Sequence, residues 1–171
     1  MGRLSTKENK NIYQTAREQL GLSREKASEL LKTMTPERIE RIESEKMAPH
    51  PDEVLVMAEK YKVPTMCNYY CSTQCPIGAE YVPEIKIKDL SQIVLEMLAS
   101  LNSIKNRQER LIEITADGEI SDDELGDFVV IQKELEHISI TVETLQFWSE
   151  KMIADGHIDE KAYYALMDKI D

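Results

Sequence analysis

Two groups of side chains in this 171-residue chain have types and spacings that could do chemistry. The first is a set of thiols, Cys67, Cys71 and Cys75, each separated from the next by three residues. Thiolates ligate zinc-like ions and undergo oxidation. On one helix Cys67 and Cys71 would share a face. Eight residues of helix rise about 12 Å, too far for Cys67 and Cys75 to share one tetrahedral ion. A three-thiolate site therefore needs a break before Cys75, which Pro76 permits, and His50 is a conceivable fourth ligand. The expectation adopted is plainer: the thiols are small apolar fillers, with no metal and no cofactor. The second group is Glu37, Arg38 and Arg41. They are three and four residues apart and would share one helix face. A guanidinium carries a planar fork of donors that can grip a flat acceptor edge at two points.

Other chemistries find little support. The three histidines, His50, His137 and His157, sit in no nucleophile–base pattern, and there is no glycine-rich phosphate loop. No enzyme activity is expected. Asp117-Gly118-Glu119-Ile120, with Ser121 and Glu124, looks like the back half of a calcium loop. Glu113 and Thr115 stand where aspartates are wanted, however, and Ser121 with Glu124 is equally a helix capping box. Met1-Gly2 with Thr6 fits the loose myristoylation pattern, but no basic cluster comes after it. No apolar run reaches membrane-spanning length, and the polar start from Met1 to Lys10 lacks the form of a secretory signal. Three cysteines in such a chain suggest a reducing compartment. The expectation is a cytoplasmic protein with no membrane partner.

The elements that would position these residues are helical throughout. Ile12, Ala16 and Leu20 recur at helical spacing, and Gly21 can end that helix. Ser23 can cap the next, placing Ala27, Leu30 and Leu31 inward. Thr35 and Pro36 suit the cap and first position of a third helix, with Ile39 and Ile42 facing the core. Val54, Leu55, Met57, Ala58 and Tyr61 mark a fourth. Pro64 opens a short fifth that contains Cys67 and Cys71. From Ser72 to Lys88 the pattern lapses into a connector. Asp89 with Gln92 predicts a capped start to a long helix. Leu90, Met97, Ile104 and Leu111 then repeat every seven residues. Phe128, Leu135 and Val142 do the same beside Ile131, Ile138 and Leu145. Ile138-Ser139-Ile140-Thr141-Val142 alternates like a strand, yet the heptads run through it, so helix is expected. Asp117-Gly118 and Asp155-Gly156 mark two similar turns, with Ser121 and Asp159 capping the next helix in each case. A last helix falls within 161–170.

Charge divides the chain. The net charge is −11, but residues 1–62 carry 12 basic and 11 acidic side chains against 9 and 21 in the remainder. A polyanionic partner would therefore meet the first part and be repelled by the second.

Gly21-Leu22-Ser23, Ala27-Ser28, Ile39, Ile42-Glu43, Pro49 and the helix end from Ala58 to Val63 keep a characteristic order and spacing. On these residues the first 65 or so resemble the lambda-repressor/Cro-type helix-turn-helix family, also called the Xre family. The resemblance implies double-stranded operator DNA as partner. It places Ser23 and Arg24 at the start of the second helix, beside phosphate. It places Thr35, Glu37, Arg38 and Arg41 on the start and outer face of a recognition helix, and Lys46 near the DNA backbone just beyond. It makes Arg17 and Glu43 a structural pair between the first and third helices. A helix fits the major groove, where arginine can grip guanine.

Several positions depart from that pattern. Lys32-Thr33-Met34 lacks the usual turn glycine. Pro36, Glu37 and Arg41 replace frequent glutamines, and Glu37, Glu40 and Glu43 make the helix acidic.

The sequence thus predicts an all-α protein. Residues 1–71 form a five-helix helix-turn-helix domain, 72–88 a cysteine-containing connector, and 89–171 a helical hairpin with a short terminal helix. The expected function is a sequence-specific transcriptional regulator, a homodimer through 89–171. The alternative is a protein-interaction adaptor or antirepressor on the same fold that no longer reads bases.

Overall fold

The computed structural model describes residues 10–170; the pattern at Met1, Gly2 and Thr6 lies outside them. Those residues form helices and no strands. In order they are α1 (Ile12–Gln19), α2 (Arg24–Leu31), α3 (Pro36–Glu43), α4 (Pro51–Tyr61), α5 (Thr65–Thr73), α6 (Pro76–Tyr81), α7 (Leu90–Ile114), α8 (Leu125–Ala154) and α9 (Glu160–Met167). The chain is all-α, as the sequence predicts. No described helix is long and apolar enough to cross a membrane. Residues 10–84 and 150–170 cluster as one compact unit, and 85–149 as another.

Short helices need local starts, because nucleating a turn fixes several residues for one hydrogen bond. The first three each have one. The side chains of Asn11, Ser23 and Thr35 accept from the backbone N–H groups of Gln14, Lys26 and Arg38. Pro36 and Pro51 occupy first-turn positions where no donor is required. Tyr13, Ala16, Ala27, Leu31, Met34, Ile39, Ile42, Val54, Met57, Tyr61 and Met66 make one buried core.

Three predicted core residues lie outside it. Leu20, Leu30 and Leu55 are 44%, 38% and 61% exposed. Leu20 caps α1 rather than continuing it. Leu30 and Leu55 are each one position off the buried lines 27–31 and 54–57–58–61, a rotation of about 100°. In their stead the apolar body of Tyr13 enters the core, and its hydroxyl donates to Gln74 at 2.9 Å.

The stretch from Ser72 to Lys88 holds a helix that the sequence pattern did not announce. Cys75 caps α6, its sulfur accepting from the Gly78 N–H at 3.4 Å, and Pro76 follows at the first position. A Cβ at Gly78 would run into the carbonyl oxygen of Cys71, so α5 and α6 approach at backbone distance. All three cysteines are free and half-buried. Burial pushes the Cys67 thiol above its ordinary value, and nearby Cys71 and Glu150 add to the effect. Among the described residues no cluster of three or more ligating side chains could hold a metal ion.

The unit 85–149 holds α7 and the greater part of α8, joined by the connection 115–124. Ile93, Ile114 and Ile131 are buried, with the small polar side chains of Ser100, Thr141 and Thr144. The hydroxyls of Thr141 and Thr144 donate back to the carbonyls of His137 and Ile140. That arrangement satisfies them without a partner on another helix. Residues 138–142 are helical despite their strand-like alternation. Arg110 pairs with Asp127 at 2.8 Å near the turn. Gly118 and Gly156 take φ of +79° and +77°, the left-handed conformation predicted for these turns. Glu124 accepts from Ser121, and Asp159 from Ala162 N–H. Asp89 precedes α7 but makes no side-chain capping bond; Gln92 donates to Glu96 instead.

Candidate nucleic-acid interface

The face that could meet DNA is built by α2, the turn after it and α3. Ala27 is wholly buried, and its small side chain lets α3 lie close across α2. The Ser28 hydroxyl donates to the Met34 carbonyl at 2.7 Å and holds the intervening turn. Lys32 there takes φ +61°, so a lysine adopts the left-handed backbone usual for glycine.

Buried charges fix α3 against its neighbours. Arg17 grips the Glu43 carboxylate at two points, its Nη2 2.9 Å from Oε2, and also donates to the Leu22 carbonyl. Both side chains are nearly inaccessible. Burial alone would lower the affinity of the guanidinium for its proton, but the Glu43 carboxylate outweighs it and the pKa of Arg17 rises. Arg24 adds its Nε to Glu43 Oε2 at 2.8 Å. The pair expected between the first and third helices is thus present, with Arg24 as a third member. Tyr61 lies buried nearby with its hydroxyl unpaired among the described residues. Burial and the Glu43 charge raise its pKa.

A second clamp lies at the other end of α3. Arg38 donates from Nε and Nη2 to the two oxygens of Glu53, at 2.8 and 2.7 Å, and from Nη2 to the Ala48 carbonyl. Its Nη1 also meets the sulfur of Met47. Glu53 in turn accepts from the His50 N–H at 2.7 Å, closing a capping box at the start of α4. The Arg38 bonds, helped by the His50 N–H, hold Glu53 below the ordinary carboxylate range against the effect of burial. Sequence reasoning placed Arg38 among the readers and missed Glu53. The available signal was Glu53 at the third position of a helix opened by His50-Pro51.

With Arg17, Arg24 and Arg38 bound to carboxylates, the outward face of α3 belongs to Glu37, Glu40 and Arg41, all exposed. The Arg41 side chain makes no hydrogen bond or ion pair among the described residues. Glu37 lies one turn before it. Its carboxylate is held below the ordinary range first by its own backbone N–H and the Thr35 hydroxyl, then by Arg41, with Glu25 opposing. It stays ionised and can only accept. Lys46 is exposed in the turn after α3, its backbone N–H bonded to the Arg41 carbonyl at 2.9 Å. Ser23 and Thr35 use their side-chain oxygens as helix caps.

Residues 14–65 match the helix-turn-helix family model. This segment is a helix-turn-helix domain. The match supports the lambda-repressor or Xre type and spans α1 to α4 and the start of α5. Comparisons with curated proteins and with solved structures give no match. Proteins with this helix-turn-helix domain are DNA-binding regulators.

Proposed function

We propose that the protein is a transcriptional regulator that binds operator DNA sequence-specifically as a homodimer. The observation that carries this reading is the division of labour on α3. Its inner carboxylate and Arg38 are consumed in holding the helix, while Arg41 and Glu37 stand outward one turn apart. Arg41 would grip guanine, and Glu37 would accept from a cytosine amine. Lys46, and Arg24 through the Nη groups that its Nε bond to Glu43 leaves, would contact phosphate and supply affinity without sequence information. Ser23 and Thr35 would set the N-termini of α2 and α3, where backbone N–H groups favour anions. Arg38 acts as a positioning residue. The domain type supports regulation rather than catalysis, and a DNA partner suits a cytoplasmic location.

The acidic surroundings favour a second reading. Glu25 and Glu37 are close enough to repel, which suits an adaptor that binds a basic protein surface. Selection of bound sequences from a random duplex pool separates the two. The regulator should enrich a two-fold-symmetric site, and Arg41→Ala should erase the preference. A pool returned unenriched, with binding indifferent to Arg41, would leave the adaptor.

A further inference from the structure

We propose that Cys71 and Cys75 are a dithiol that hydrogen peroxide closes into a disulfide, and that the closed form loosens α1 through Gln74. The thiol chemistry stands by itself; its effect on DNA binding rests on the preceding reading.

The backbone brings the two cysteines together. The Tyr70 carbonyl accepts from the Gln74 N–H at 2.9 Å and from the Cys75 N–H at 3.0 Å. Tyr70 directly precedes Cys71, so the second bond folds the end of α5 back until the Cα atoms of Cys71 and Cys75 stand about 6 Å apart. Disulfides span roughly 4.4–6.8 Å between Cα atoms. Cys75 lies outside the regular helix with ψ 120°, so its side chain is free to turn toward Cys71. Neither other pairing is open. Cys67 and Cys71 both lie within α5, where residues four apart hold their Cβ atoms about 5–6 Å apart, against roughly 4 Å in a disulfide. Cys67 and Cys75 are about two helical turns apart.

The oxidation balances. A thiolate of the pair attacks one peroxide oxygen: an S–O bond forms, the O–O bond breaks, and the departing hydroxide takes a proton and leaves as water. The second thiol attacks that sulfenic sulfur: the S–S bond forms, the S–O bond breaks, and a second water leaves. Two thiols lose two electrons and one peroxide gains them. Both cysteines are only half-buried, so a molecule of this size reaches them. At Cys67 burial pushes the thiol up, which disfavours the attacking thiolate there.

Gln74 carries the change into the helix-turn-helix domain. It stands between the two cysteines, and its Oε1 accepts from the Tyr13 hydroxyl at 2.9 Å. Tyr13 is buried and anchors α1, with its ring edge-on to Tyr69 of α5 at 6.3 Å between centroids. A Cβ at Gly78 would strike the Cys71 carbonyl, so α6 has no room to slide along α5 and the contraction falls on residues 72–74. Drawing Gln74 away strands a buried hydroxyl without its acceptor, which costs free energy and weakens the hold of α5 on α1.

The test applies hydrogen peroxide to the full chain at submicromolar concentration and counts free thiols by intact mass after alkylation in denaturant. The wild type should fall from three free thiols to one, reversibly with dithiothreitol. Cys67→Ser should still close the bridge. Cys71→Ser and Cys75→Ser should not, and serine at 75 keeps an oxygen for the α6 cap. Hydrogen exchange of the α1 amides should run several-fold faster in the oxidised wild type than in the reduced one. In Tyr13→Phe, which has no hydroxyl to strand, the two states should exchange alike. Three thiols retained under peroxide, a bridge that uses Cys67 or joins two chains, or α1 exchange indifferent to the bridge would overturn the proposal. So would a rate change that survives Tyr13→Phe. A bridge with faster exchange in a chain that enriches no duplex keeps the switch and sinks the regulator reading; site enrichment by a chain that never bridges does the reverse. Where both hold, oxidation should weaken operator binding several-fold.

Discussion

Arg38 and Arg41 stand one turn apart on the same short helix, and a spacing argument treats them alike. Their surroundings do not. Arg38 is four-fifths covered and paired at two points with a carboxylate that is itself covered, whereas Arg41 is exposed. Removing one member of a largely buried, hydrogen-bonded pair leaves the other charged and short of partners. Arg38→Ala should therefore cost about 2–3 kcal/mol of domain stability, read as an earlier urea midpoint. Arg41→Ala should leave that midpoint within about 0.5 kcal/mol and act only on site selection. Equal effects of the two substitutions on unfolding would refute the distinction. A third residue offers the opposite sign. Lys32 holds a left-handed backbone that costs a side chain roughly 1 kcal/mol, so Lys32→Gly should stabilise by up to about that amount, offset in part by the freer unfolded chain. Exposed residue types and caps at Ser23 and Thr35 were legible in the sequence. The fate of Arg38 was not, because Glu53 lies fifteen residues away and only the packing of α3 on α4 brings the two together.

At the scale of elements, the Arg38–Glu53 clamp makes the contact between α3 and α4 sensitive to acid. Glu53 is held below its ordinary value by Arg38 and the His50 N–H. A carboxyl with a lowered folded pKa binds its proton more readily when unfolded. Its contribution is complete above the unfolded value of about 4.3 and is lost as pH falls through the folded one. Glu53→Gln should lower stability at neutral pH, and the gap to wild type should begin to narrow below about pH 4.3 and close as pH falls through the lowered folded pKa. A gap that persisted to lower pH would show that shape, not charge, carries the contact. Long elements were easy to foresee: heptads sustained over α7 and α8 outweighed five strand-like residues. The helix α6 was not, because six residues are too few to show a period, and its formation depends on Gly78 meeting the Cys71 backbone. Leu20, Leu30 and Leu55 failed for a related reason, since a helix of two or three turns tolerates an apolar residue beside its buried line.

Over the whole molecule, the charges set what kind of DNA binder this chain can be. Net charge is −11, and the first 62 residues exceed neutrality by a single positive charge. Affinity must then come from a few placed cations rather than a general field. In the proposed dimer each copy would offer Lys46, and Arg24 through the Nη groups that its bond to Glu43 leaves, so two copies on one duplex would give four phosphate contacts. Counterion release then predicts a logarithmic salt slope of about −4. Lys46→Ala distinguishes the arrangements by its magnitude. If a symmetric pair grips the site, the substitution removes two contacts and flattens the slope by about two; if one copy binds alone, it flattens by about one. Preference among sequences should persist in both cases, because phosphate contacts do not read bases. A slope unmoved by Lys46→Ala would take Lys46 out of the interface. A flat slope in the wild type would mean that the outward face of α3 meets no polyanion, which leaves its acidic residues to a basic protein.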